Sequence, residues 1–194
     1  MNCLRILAAS AIAAAAVAAH ASTVAIDFGS YGVGTAVTSA QGVSFSLGGD
    51  GAATGAPVID GWGNNGLSNS NSGDYPTADD LVITFSGNAS NVSFGFDNYG
   101  NGNGSAWTAY GVGGAVLGTG DLSNVNGSEV SLGSLNGVQQ LVLDNGNMAQ
   151  QYGGSWLFDV SSLSATVSAV PEPSSIGLML AGLATVAFVR RRRA

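Results

Sequence analysis

The side chains that could carry chemistry in most of this sequence are carboxylates, hydroxyls, amides and aromatic rings. Residues 22–169, referred to below as the body, contain no Lys, Arg, His or Cys, and eleven of the twelve acidic residues lie there, which gives the body a net charge of −11. An excess of carboxylates favours a hard cation such as Ca²⁺, which binds oxygen ligands. The composition therefore demands no cofactor and favours calcium if one is bound.

The missing residue types exclude several kinds of function. Binding to nucleic acids or to anionic lipids depends on Lys and Arg, so neither partner is expected. Ser-His-Asp and Cys-His catalysis need a histidine base, and structural zinc sites need Cys or His. The body can therefore hold none of these sites.

A glycosidase with two carboxylates is the one enzymatic route that the composition leaves open. Its two acids must lie about 5–10 Å apart across a cleft. Asp79 and Asp80 are adjacent, so on a strand they would face opposite sides. No other spacing places two acids together. We therefore expect no enzymatic activity, with a carboxylate-dependent glycosidase as the least favoured alternative.

Aromatic side chains offer a route to sugar binding, because their faces stack on the C–H surfaces of sugar rings. Trp62 and Tyr75 are the candidate ligand-binding residues, since they lie in a polar stretch, residues 48–80, with few apolar residues. The alternative is that they pin this stretch to the rest of the domain. Trp107 and Trp156 lie inside strand patterns and are predicted to belong to the core.

The N-terminus has the pattern of a secretory signal. Arg5 is followed by an apolar run, residues 6–18, and then by Ala19-His20-Ala21, a cleavage site with small side chains. A membrane helix is the alternative, but it would need about 20 apolar residues. We predict that a signal peptidase removes residues 1–21, so that the mature chain begins at Ser22.

The C-terminus combines three elements in order. Pro171-Glu172-Pro173 is an extended element that cannot pair as a strand. The 16 residues of Ser174–Val189 carry no charge and would span about 24 Å as a helix. Arg190, Arg191, Arg192 and Arg193 follow at once, and such a cluster stays cytoplasmic. We predict a transmembrane helix over 174–189, with the body outside the membrane.

Together, Val170 to Pro173, the apolar run and the four arginines resemble the PEP-CTERM sorting domain. The resemblance implies that an exosortase, a membrane-embedded cysteine protease or transpeptidase, recognises the Pro-Glu-Pro element. It also implies a Gram-negative bacterium, a transient inner-membrane anchor with the body in the periplasm, and release to the cell surface or to an exopolysaccharide matrix. Residues 170–194 would then be the sorting tail.

Short alternating segments separated by Gly, Asn, Ser and Asp fill the body. Val43, Phe45 and Leu47 show the period of two residues, and no segment shows a convincing helical period. Nine to eleven such strands predict an all-β fold, an antiparallel β-sandwich of jelly-roll type, flanked by the signal peptide and the single transmembrane helix. The domain would span 22–169, with a long surface loop at about 48–80.

The order of the strands carries a second resemblance. Ile26-Asp27-Phe28, Val92 to Phe96 and Phe158 to Leu163 resemble jelly-roll domains of carbohydrate-binding type. In those domains acidic residues near the first and last strands hold a structural calcium, and the matching positions are Asp27 and Asp159. The first hypothesis is a non-catalytic surface or matrix protein in contact with exopolysaccharide, and the alternative is a carbohydrate-binding module with a defined glycan.

Overall fold

A computed structural model describes residues 21–48, 55–61, 65–72, 79–98, 104–144 and 157–169. The chain divides into two units, one formed by Ala21–Ser168 and one formed by Met1–His20 with Ala169–Ala194. The description below concerns the first unit. The predicted signal peptide up to His20 and the predicted transmembrane helix over 174–189 lie outside the described residues. Within the described ranges, no helix is long and apolar enough to cross a membrane.

The described part of the chain is built from strands, which confirms the all-β prediction. Two short 3₁₀ turns, Phe28–Ser30 and Val112–Gly114, are the helical segments among these residues. The strands are β1 Ala21–Asp27, β2 Ser39–Ala40, β3 Val43–Leu47, β4 Leu67–Ser68, β5 Leu81–Asn98, β6 Ala106–Tyr110, β7 Val116–Asp121, β8 Ser128–Ser131, β9 Asn136–Asp144 and β10 Phe158–Ala169.

Hydrogen bonds join these strands in the order β1-β10-β5-β9-β6-β7, with β3 and β8 also on β5 and β4 on β10. β5 is the hub of the arrangement. Its first half pairs antiparallel with β3 and β9, and its second half pairs antiparallel with β8. The two halves of this one long strand therefore pair with different strands.

A change of register inside β5 makes this double role possible. Odd-numbered residues from Leu81 to Ala89 are buried, whereas from Val92 onward the even-numbered residues are. The switch occurs at Asn91, whose φ is 51°, a left-handed conformation that asparagine tolerates better than most residues. The sequence pattern predicts two strands joined as a hairpin or as a sheet-crossing pair. The hairpin is wrong, because residues 87–90 continue the strand.

Phenylalanine rings connect the strands in the core. Phe28, which follows β1, meets Phe45 of β3 edge-on with ring centroids 5.5 Å apart. The ring centroids of Phe96 in β5 and Phe158 at the start of β10 lie 5.0 Å apart. All four rings are almost fully buried in one hydrophobic cluster, and aromatic pairs of this geometry stabilise a core beyond their buried area.

The stretch predicted as a surface loop, residues 48–80, contributes to the core where it is described. Ile59 and Leu67 are completely buried and form an isolated antiparallel bridge with each other. Leu67 also pairs with Val160 of β10 through β4. These apolar residues therefore attach the stretch to the last strand.

Replacing Gly87 by Ala should destabilise the domain. A Cβ at this position would collide with the main-chain carbonyl oxygen of Ser168 in β10, and overpacking of this kind costs about 1–3 kcal/mol. The free energy of unfolding, measured by urea denaturation of the full-length chain in mild detergent, should fall by that amount. Gly48→Ala is the matched control, because its Cβ would meet only Val82 Cγ2, at 4.0 Å. Equal losses in the two variants would contradict the close approach of β5 and β10.

Candidate functional site

The first and last strands of the body are paired along the whole of β1. Ala21 lies opposite Ser168 and Asp27 lies opposite Ser162. Val24 and Ile26 are buried, whereas the residues that alternate with them are exposed, so the pair has one face in the core. The predicted signal cleavage site therefore lies at the end of β1 that pairs with Ser168, near the end of β10.

A glutamine side chain covers part of the outer edge of β1. The Gln41 amide accepts a hydrogen bond from Ala25 N at 2.9 Å and donates one from Nε2 to Ala25 O at 2.7 Å. Both bonds imitate those of a neighbouring strand. They satisfy main-chain groups at an edge that would otherwise be open to pairing with another chain.

The predicted processing residues fall mostly outside the described ranges. Ala21 and Ser22 are exposed at the start of β1, while Ala19 lies outside. The sorting residues also lie outside, and these are Pro171, Glu172, Pro173, Arg190, Arg191, Arg192 and Arg193. The same holds for the two proposed sugar-stacking residues, Trp62 and Tyr75.

The two carboxylates predicted to share calcium occupy different environments. Asp27 is exposed, and its Oδ1 accepts a hydrogen bond from Gly29 N at 3.0 Å, which caps the first 3₁₀ turn. Asp159 is completely buried. Because Asp27 pairs with Ser162, it lies about 10 Å along β10 from Asp159, and residues separated by an odd number of positions face opposite sides. The strand register does not bring the two side chains together.

Asp159 instead lies beside residues of β4 that the sequence analysis did not single out. It is directly opposite Ser68, and a Cβ on Gly66 would stand 2.5 Å from its Cγ. Asp60 N donates a hydrogen bond to Gly66 O at 3.1 Å. No sequence spacing indicates this grouping, because the residues come from positions about 100 apart.

The other candidate residues take local roles. Asp79 is buried, and its Oδ1 accepts a hydrogen bond from the Asp80 main-chain N–H at 2.8 Å. Trp107 is partly buried against the core, and a Cβ on Gly120 of β7 would collide with its ring, in line with its predicted core position. Across the described ranges, no group of three or more acidic, His or Cys side chains could hold a metal ion.

Two exposed carboxylates at one end of the sheet were also missed by the sequence analysis. Ala106 of β6 pairs with Asp121 on one side and Asp144 on the other, so the two acids are two strand spacings apart, about 10 Å. The Ser123 hydroxyl and main-chain N–H donate to Asp121 Oδ1 at 2.6 and 2.8 Å. These bonds hold the pKa of Asp121 below its ordinary value.

A shallow groove beside β2 has a different chemistry. It has a volume of about 470 Å³ and is lined in part by Ser39, Gln41, Ser44, Thr84 and Ser86. These side chains are uncharged hydroxyls and an amide, which form hydrogen bonds with neutral polar groups. Ala40, Gly42, Val43 and Phe85 line the rest of the groove, and the Gln41 amide in it is bonded to Ala25.

Comparison with known proteins adds one finding at the C-terminus. A family model for the PEP-CTERM protein-sorting motif matches residues 169–193. No curated protein matches the chain significantly. The chain therefore carries a PEP-CTERM sorting motif, as its Pro-Glu-Pro element and arginine cluster predict, and the motif begins at the last residue of β10. The second resemblance, to jelly-roll domains of carbohydrate-binding type, has no support from these comparisons.

Removing the Ser123 hydroxyl should raise the pKa of Asp121 toward its ordinary value, because this donor is the main cause of the lowered pKa. A carboxyl whose pKa is lowered by folding stabilises the folded state above its unfolded pKa, and this contribution is lost as the pH falls through the folded pKa. The stabilities of the wild type and Ser123→Ala should therefore converge in strong acid. A ¹³C NMR titration of the Asp121 carboxyl measures the shift.

The control for this titration is Ser128→Ala, because the Ser128 hydroxyl donates to the Asn126 carbonyl and not to a carboxylate. It should leave the Asp121 titration unchanged. A Ser123→Ala titration that coincides with the wild type would contradict the role of this hydroxyl.

Proposed function

We propose that this chain is an exported protein of the cell surface or extracellular matrix, which an exosortase recognises and processes at its C-terminal motif. The observation that carries the proposal is the match of the PEP-CTERM sorting motif to residues 169–193. The motif implies export and membrane-anchored sorting. The body is the cargo, and the Pro-Glu-Pro element is the segment that the enzyme would recognise.

The start of the domain supports this proposal. β1 begins at Ala21, so cleavage before Ser22 would remove a single residue of the strand. The pairs from Ser22–Val167 to Asp27–Ser162 would remain. Removal of the predicted signal peptide is thus compatible with the complete antiparallel pairing of β1 with β10.

The role proposed for the body is structural and non-catalytic. The body has no histidine, cysteine or lysine, so its carboxylates would have to carry out any acid–base or nucleophilic chemistry. We infer that the β1–β10 pair and the strands beside the first half of β5, β3 and β9, pack face to face as a sandwich. The contact between Phe28, which follows β1, and Phe45 of β3 supports this arrangement. Contact with exopolysaccharide would use neutral hydroxyl side chains such as those that line the groove beside β2.

Replacing Glu172 by Ala should block processing. In a Gram-negative host that produces the exosortase, the wild-type chain should be recovered from the cell surface or matrix, with a C-terminus near Pro171-Glu172-Pro173 by mass spectrometry. The variant should stay in the inner-membrane fraction with Arg190–Arg193 intact, because the enzyme no longer recognises the motif. Deleting the exosortase should give the same result for the wild type.

Glu129→Ala is the matched control, since Glu129 and Glu172 are the two glutamates of the chain and Glu129 is exposed on β8. This variant should be processed and released as the wild type is. Release of Glu172→Ala with a normally trimmed C-terminus would contradict the proposal. Recovery of the wild-type chain from the cytosol with residues 1–21 attached would contradict it as well.

A further inference from the structure

Two carboxylates lie almost fully buried at the start of β10 and in the segment that precedes β4. Asp159 is 0% exposed and Asp60 is 2% exposed. Acidic side chains are rarely buried to this degree unless a partner compensates their charge. The two buried carboxylates therefore need a compensating group.

The strand register places both carboxylates on the same side of β4. Leu67 is opposite Val160 and bridges to Ile59, so these three side chains share one side. The residues next to these three in the sequence face the other side, and they include Asp159, which precedes Val160, and Asp60, which follows Ile59. Both lie beside Gly66. Asp159 approaches it with its carboxyl group, and Asp60 bonds to it through its main-chain N–H.

Ser68 adds a third oxygen on this side. It is directly opposite Asp159, and directly paired residues of an antiparallel ladder project to the same side. Ser68 is 0% exposed, and its Oγ has no hydrogen-bond partner among the described residues. A buried hydroxyl without a partner is costly, and its position beside Asp159 makes it available to a ligand shared with that carboxylate.

The absence of positive side chains indicates what kind of ligand Asp60, Ser68 and Asp159 would bind. Asp60 and Asp159 have interaction partners in the chain, but no Lys, Arg or His occurs between Ser22 and Ala169. Neutral donors stabilise a carboxylate without cancelling its charge. No side chain of the body can therefore cancel these two charges, whereas a bound cation or a bound proton would do so.

We propose that Asp60, Ser68 and Asp159 form a buried site for a divalent cation, and that the cation is calcium. The three side chains offer carboxylate and hydroxyl oxygens, the donor class that Ca²⁺ prefers, and main-chain carbonyls and water commonly complete its six to eight ligands. The ion would attach β4, and with it the stretch between β3 and β5, to the last strand of the domain.

The test uses the full-length chain in mild detergent, stripped with EDTA and dialysed. Calcium added at about 100 times its dissociation constant should raise the melting temperature by roughly 5–10 °C. Isothermal titration should give one site per chain. Magnesium should give a smaller rise, because it demands stricter octahedral geometry.

Asp159→Asn and Asp60→Asn should each abolish the calcium response without lowering the melting temperature of the metal-free protein, because each removes one of two neighbouring buried charges. Ser68→Ala should weaken calcium binding by about tenfold or more, as expected for the loss of one ligand. Asp27→Asn is the control. It removes an exposed carboxylate from β1, and its calcium response should equal that of the wild type.

Three results would overturn the proposal. The first is a wild-type protein whose melting temperature and titration heat do not respond to calcium. The second is a full calcium response in Asp159→Asn or, if that variant does not fold, in Asp60→Asn or Ser68→Ala. The third is a protein whose stability does not respond to calcium and rises as the pH falls, because a proton bound by a buried carboxylate would then take the place of the cation.

Discussion

The antiparallel pairing of β1 with β10 is the constraint that joins the two ends of the described domain. It joins residues roughly 140 positions apart, so it must overcome the entropy of closing nearly the whole body into a loop. Its register runs without interruption from Ala21–Ser168 to Asp27–Ser162. The buried side chains of Val24, Ile26, Leu163 and Ala165 supply the apolar contact that offsets this entropy. Long-range pairings of this kind also form slowly.

This pairing has a consequence for an exported protein. β1 can complete its ladder only after β10 has been exported, and the sorting motif begins at the last residue of β10. Ala169 is thus shared by β10 and the motif, and it lies one position beyond the last β1–β10 pair, Ala21–Ser168. Gly87 of β5 packs closely against Ser168 of β10. On the outer side of the pair, the Gln41 amide bonds to Ala25 of β1.

Charge is the second constraint. The body has a net charge of −11 and no basic side chain, so every carboxylate must be exposed, bonded to a neutral donor, or matched by something from outside the body. Asp27 and Asp121 lie at the surface and accept local hydrogen bonds. Asp60 and Asp159 do not reach the surface.

The sequence by itself determined the all-β class, the positions of most strands and the sorting motif. Alternation of apolar and polar residues is local, and the motif is a contiguous run, so both can be recognised without knowing which segments meet. The tertiary structure alone decided that β5 is one strand, because a single left-handed residue, Asn91, shifts its burial pattern without leaving a recognisable turn. It also decided that Asp159 lies beside Ser68 and Gly66 and not beside Asp27. That grouping depends on strand register, and a register between segments about 90 residues apart is set by the packing of the whole core, which no local pattern in the sequence encodes.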